Sequence, residues 1–243
     1  MLYFRRMENE TREEKKKKFS VLGDSLSTFE WFSEPKDAEF YKEDVKIKSG
    51  VLTFADTWWG RVIDRLGGEL LVNNSISGST VCGGPRYEFE SYACSDARTS
   101  ALGRDGVSPD VIFAYIGTND WGRAIALRPE GAETFDPTCY FIPAYDLMLK
   151  KLKRNYPQAA IYCFTLARSR FSAKEDFSFP YAPRGRHIEE YCEAIRECAK
   201  ANACELIDLY RFAEPYETID GFHADASGMR SIADAVLARI GRS

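Results

Sequence analysis

Five short apolar runs, separated by helix-length intervals, constrain the fold of this chain more than any other feature. They are Phe19 to Leu22, Glu69 to Asn73, Val111 to Ile116, Ala160 to Thr165 and Cys204 to Asp208. Several are rich in Val, Ile, Phe or Tyr and apolar on both faces, the pattern of strands in a parallel sheet covered on both sides. The intervals carry helical patterns over Phe54 to Leu66, Ser95 to Leu102, Thr138 to Tyr156, Gly185 to Ala201 and Ser227 to Ile240. Right-handed crossovers place such helices on both sheet faces. The expected fold is therefore α/β, a three-layer α/β/α sandwich around a central five-stranded parallel sheet. A length of 243 residues with 44% hydrophobic content suits one core, so residues 1–243 are read as a single domain with 1–17 as a charged lead-in.

Charge and cysteine usage exclude several function classes. A formal net charge of -4 offers no broad positive field for phosphates, which argues against a nucleic-acid partner. The run Lys15 to Lys18 leads directly into the first apolar segment and reads as a solvated approach to a strand. The longest apolar runs are too short for a transmembrane segment. Met1 to Met7 lack a signal-peptide core, so the chain as it stands is expected to be cytoplasmic. Seven cysteines without a CxxC pair point to reduced thiols, with a Cys82 to Cys94 bridge as the alternative for an exported protein. Two histidines and no dense carboxylate cluster suggest neither a metal nor an organic cofactor.

Four polar blocks occur in strand-to-helix connections. Gly23-Asp24-Ser25-Leu26 leaves the first strand on a tight turn that can present the Ser25 hydroxyl at the carboxyl edge of the sheet, although Gly-Asp-Ser is also common turn composition. After the second strand, Gly78 can bring a backbone N–H close to an oxyanion. After the third, Gly117-Thr118-Asn119-Asp120 offers the uncharged Asn119 carboxamide for the same purpose, or forms a plain loop. The fourth is Asp220-Gly221-Phe222-His223 ahead of a helical pattern. Its spacing lets the Asp220 carboxylate fold back on one imidazole nitrogen of His223 and leave the other free. His187, at a charged helix start, reads as a surface residue.

Together, in this order, the four blocks resemble those of the GDSL/SGNH hydrolase family, and the resemblance runs from Gly23 to His223. It implies a flavodoxin-like strand order. It also implies Ser25 as nucleophile, His223 as general base oriented by Asp220, and an oxyanion hole from the Ser25 N–H, Gly78 and Asn119. The chemistry is then acyl transfer to water through an acyl-serine. The expected substrate is a small-molecule or carbohydrate ester of a short acyl group, such as O-acetyl on a sugar. A thioesterase, lysophospholipase or acyltransferase would use the same serine, and a non-catalytic binding module would retain only the fold. Trp31, Phe32 and Trp121 flank the blocks and are candidate substrate contacts, whereas Trp58 and Trp59 read as packing residues. Segments Glu30 to Thr53, Gly83 to Ser91 and Trp121 to Asp136 break the alternation and are expected to wall the mouth of the site.

Overall fold

The computed structural model describes residues 16–33, 38–83, 91–131, 134–177, 179 and 185–240. Among these residues, seven strands occur in chain order: β1 (Lys18–Gly23), β2 (Glu69–Ser75), β3 (Val111–Tyr115), β4 (Ala160–Phe164), β5 (Ser169–Arg170), β6 (Glu205–Ile207) and β7 (Tyr216–Glu217). The α-helices among the described residues are α1 (Glu43–Ser49), α2 (Trp58–Arg65), α3 (Asp96–Ser100), α4 (Thr118–Gly122), α5 (Phe141–Asn155), α6 (Ile188–Ala201), α7 (Leu209–Phe212) and α8 (Ala226–Ile240). All five expected strands and all five expected helices are present, within a few residues of their expected ends. The elements beyond that expectation are short. Helix α1 lies within Glu30 to Thr53, the first of the segments that break the alternation, α4 starts within the Asn119 block, and β5 and β7 form a separate two-stranded parallel pair.

The main sheet is parallel throughout, in the order β2-β1-β3-β4-β6. This is the flavodoxin-like arrangement, and the α/β/α architecture is as expected. Side chains along β3 alternate between two cores. Ile112 and Ala114 join Met148, Leu152, Tyr191 and Ile195 of α5 and α6 on one face. Val111, Phe113 and Tyr115 join Trp58, Val62, Met229 and Ile232 of α2 and α8 on the other. Burial of both faces by helices explains why these strands are apolar without interruption.

Helix ends are fixed by the expected chemistry. The Ser95 side chain accepts from the Arg98 N–H at the start of α3, and Thr57 accepts from Gly60 N–H at the start of α2. All seven cysteines are free thiols, so the Cys82 to Cys94 bridge is not formed. Among the described residues, no helix is long and apolar enough to cross a membrane. Residues 1–15 of the charged lead-in and 84–90 of the second expected wall lie outside the described residues.

Candidate active site

Because the sheet is parallel, the chain leaves β1, β2 and β3 at one edge, and these three strands are neighbours. That edge carries Ser25, Gly78 and Asn119 on the turns that follow these three strands. Ser25 opens a 3-10 turn (Ser25–Ser27) capped by Asp24, whose Oδ1 accepts the Leu26 N–H at 3.1 Å. Ser27 anchors the turn from below: its hydroxyl accepts from Trp58 Nε1 at 3.1 Å, and its carbonyl accepts from Trp59 Nε1 at 2.9 Å and Asn73 Nδ2 at 2.8 Å. Trp58 and Trp59 are buried packing residues, as read from the sequence, with the added task of holding this turn.

His223 reaches the same point from the far end of the chain. The β5–β7 pair delivers the backbone to a turn closed by the bridge between Thr218 and Ala224, and this turn carries Asp220 and His223. Asp220 Oδ1 accepts the Phe222 and His223 N–H groups at 2.9 and 2.8 Å, while Oδ2 lies 2.7 Å from His223 Nδ1. His223 Nε2 lies 2.9 Å from Ser25 Oγ. Carboxylate, imidazole and hydroxyl thus form one continuous hydrogen-bonded row. Partial burial pushes the Asp220 carboxyl up, but the hydrogen bonds from His223 outweigh it and leave the group at about 2. It is ionised at neutral pH and holds the proton on Nδ1, leaving Nε2 to accept from the serine.

The other two loops are braced from behind. Asn119 Nδ2 donates one of its two N–H bonds to the Ser79 carbonyl at 2.9 Å, which aims the carboxamide across the Gly78 loop. Asp120, fully buried, accepts the Val81 and Cys82 N–H groups at 2.8 and 3.1 Å and so ties the loop after β2 to the loop after β3. Burial pushes its carboxyl up to about 7 despite those bonds. Gly78 has a φ of +75°, and an added Cβ would find only an Arg123 guanidinium nitrogen, 4.0 Å away. The position therefore requires glycine for its backbone angle and not through crowding.

A buried cation behind these loops carried no sequence signal. Arg98, 5% exposed, donates to the carbonyls of Gly23 (3.2 Å), Asn74 (2.8 Å) and Ser91 (3.1 Å), to Ser79 Oγ (2.8 Å) and to Asn74 Oδ1. It joins the ends of β1 and β2 to the loop beyond. Its long side chain collects acceptors that are distant in sequence, which local pattern reading does not reveal.

Ser25, Leu26, Thr118, Asn119, Tyr216, Phe222 and His223 line a cavity of 240 Å³. The three aromatics flagged as substrate contacts are placed outside its lining. Trp121 is 2% exposed, donates Nε1–H to the Arg186 carbonyl at 3.0 Å and sits behind Phe222, with ring centroids 6.1 Å apart. Phe32 packs on Phe54, centroids 4.7 Å apart, and lines a separate apolar cavity with Trp59 and Leu70. Trp31 is 72% exposed on a left-handed turn. Phe222 and Tyr216 take the places that position along the chain had suggested for these residues. His187 is likewise more than a surface residue: its Nδ1 accepts the Glu189 N–H at 3.1 Å and caps α6. A larger cavity of 580 Å³, lined by Lys16, Phe19, Leu66 and Tyr162, opens at the opposite, amino edge of the sheet, away from the serine.

The sequence model of the GDSL-like lipase/acylhydrolase family matches residues 17–175. The match takes in Ser25, Gly78 and Asn119 and stops before Asp220 and His223, whose placement rests on the hydrogen bonds above. No curated protein matches the chain. Among solved structures, a protein from Bacteroides uniformis described as a GDSL-like lipase is 29% identical, with a TM-score of 0.69 over 94% of this chain and 97% of that one. A carbohydrate acetylesterase from Sinorhizobium meliloti is 14% identical, with a TM-score of 0.61 over 93% of this chain and 99% of that one. An aryl esterase from M. smegmatis is 14% identical, with a TM-score of 0.59 over 93% and 99% of the two chains. At these last two identities the likeness is one of fold.

Proposed function

Because the chain belongs to the GDSL-like lipase/acylhydrolase family, a family of ester hydrolases, we propose that it hydrolyses a short-acyl carboxylic ester through an acyl-serine on Ser25. The observation that carries this reading is the row from Asp220 through His223 to Ser25, with gaps of 2.7 and 2.9 Å. A serine hydroxyl is inert at its own pKa and becomes a nucleophile when an adjacent base accepts its proton.

Ser25 Oγ attacks the acyl carbonyl carbon as its proton passes to His223 Nε2. Asp220 stabilises the imidazolium that results without itself taking the proton. Negative charge then grows on the former carbonyl oxygen, where the backbone N–H groups of Ser25 and Gly78 and the second N–H of Asn119 are the donors we assign. His223 returns the proton to the leaving alcohol oxygen, and the bond between the acyl carbon and that oxygen breaks. Water enters and gives a proton to His223 as its oxygen attacks the acyl carbon. His223 then returns that proton to Ser25 Oγ as the bond between the acyl carbon and Oγ breaks, releasing the acid and restoring the serine hydroxyl.

The cavity supports a small acyl group. At 240 Å³ it falls below the roughly 300 Å³ at which sites for drug-sized ligands begin. Leu26 and Phe222 offer apolar surface to a methyl or propyl chain, and Thr118 offers a polar atom to the alcohol portion. An acetylated sugar is the substrate class we favour, in keeping with the likeness to a carbohydrate acetylesterase. The test is turnover of an aryl acetate together with labelling by a serine-directed fluorophosphonate. Both are expected in the wild type and absent from folded Ser25→Ala. Labelling of that variant at the wild-type rate overturns the assignment, and a higher kcat/KM for long-chain esters than for acetyl or butyryl esters overturns the acyl preference.

A further inference from the structure

We propose that Phe40 is a positioning residue for His223, fixing the plane of its imidazole from a strap, residues 38–41, that ties together the turns of Ser25, Gly78 and His223. The proposal rests on the reading of Ser25 and His223 as nucleophile and base. Its central observation is a face-to-face contact: the Phe40 ring lies 3.5 Å from the imidazole, centroid to centroid, with 13° between the planes.

The strap is bonded to each turn it crosses. The Phe40 N–H donates to Thr28 Oγ1 at 2.8 Å, and that hydroxyl donates to the Ser25 carbonyl at 2.9 Å. The Ala38 carbonyl accepts the Ser77 N–H at 2.8 Å, next to Gly78. Tyr41, fully buried, donates its hydroxyl to the Ala224 carbonyl at 2.9 Å, next to His223. The Tyr41 ring also meets Phe40 edge-on, with centroids 5.1 Å apart and 79° between the planes. Phe40 is thus held by its backbone on one side and by its neighbour's ring on another.

The stack supplies what the Asp220 bond leaves open. A hydrogen bond at Nδ1 fixes that nitrogen's distance and direction but restrains tilt of the ring about the bond only weakly. A flat ring against the imidazole face restrains that tilt and so keeps Nε2 aimed at Ser25 Oγ. The π face also attracts a cation more than a neutral ring. The contact therefore strengthens when His223 takes the serine proton, which is when the transition state forms.

The test pairs a spectroscopic readout with a kinetic one. The chain has two histidines, so the imidazole resonances of His223 are identified by comparison with His187→Asn. In the wild type they are expected upfield, under the ring current of Phe40, and in Phe40→Leu they return toward ordinary positions. With the thermal transition retained, Phe40→Leu is expected to slow kcat and fluorophosphonate labelling by about tenfold, with KM changed less than about twofold. Phe40→Tyr is expected to restore most of the rate, and Phe40→Met replaces the leucine variant should the latter unfold. An active wild type without the upfield displacement, or a folded Phe40→Leu that labels at the wild-type rate, overturns the proposal alone. A rate loss that Phe40→Tyr does not recover reduces Phe40 to packing and also overturns it. A wild type with the displaced resonance but inert to esters and fluorophosphonate overturns the ester-hydrolase reading, and with it the role given to Phe40.

Discussion

Asn119 separates binding from chemistry at the level of single residues. One of its N–H bonds is committed to Ser79, and the other serves a charge that exists only once the serine has attacked. Asn119→Ala should therefore lower kcat by roughly a hundredfold or more with a smaller effect on KM, read from steady-state kinetics on an aryl acetate. A change confined to KM would remove Asn119 from the oxyanion site. Asp220→Asn should be similarly impaired, because an amide at the Oδ2 position presents N–H to Nδ1 and favours the wrong tautomer. His187→Ala should leave the rate near wild type while costing about 1 kcal/mol of stability, since its structural task is to cap α6. Gly83 carries a different lesson. An added Cβ there would sit 2.0 Å from Tyr92 Cγ. Gly83→Ala should lower the thermal midpoint, and Gly78→Ala, with room for its methyl group but a left-handed φ, serves as the less crowded comparison.

Elements matter here through the ends of β1, β2 and β3, which Arg98 and Asp120 clasp. Arg98→Met leaves the Gly23, Asn74 and Ser91 carbonyls without their charged donor. A loss of about 3 kcal/mol is expected from the hydrogen bonds to a charged group that are removed, which for a chain of this size is a fall in thermal midpoint of roughly 10 °C. A midpoint unchanged in scanning calorimetry would show that these bonds add nothing net. The sheet these residues clasp was legible in the sequence because each strand is apolar on both faces and each crossover carries a helical stripe. The short elements were not. Helix α1 (Glu43–Ser49) buries only Ser49, so it has no apolar stripe to read, and β5 and β7 are two-residue strands defined by each other. The same division holds at the site. Asp220 and His223 are three residues apart in one turn, a local geometry that spacing exposes, and Ser25, Gly78 and Asn119 follow strands that could be read directly. Phe40 and Arg98 meet their partners across the fold, and nothing in their immediate sequence distinguishes them from other aromatic or basic residues.

For the whole molecule, placing ionisable groups inside this edge of the sheet makes stability depend on pH in a definite direction. Burial raises the Asp24 carboxyl to about 6 and the Asp120 carboxyl to about 7, from the ordinary value of 3.8. Both therefore bind a proton more tightly in the folded chain than in the unfolded one. Their contribution to stability is complete below the unfolded value and is lost as pH rises through about 6 and about 7. Asp220 has the opposite sign. Held at about 2, it contributes above 3.8 and loses that contribution as pH falls toward 2. Between pH 5 and 8, at constant ionic strength, the two buried groups should make the thermal midpoint decline. Asp120→Asn isolates the larger share. The amide stays neutral throughout and leaves either the Val81 or the Cys82 N–H without an acceptor, so the midpoint should be lower at every pH by an amount equivalent to about 1–3 kcal/mol. Its decline from pH 5 to 8 should nevertheless be shallower than in the wild type, because the titrating proton is gone. Calorimetric midpoints across that range decide the matter. A decline of equal steepness in the two proteins would mean that Asp120 is already ionised when folded, and that its bonds to Val81 and Cys82 outweigh its burial.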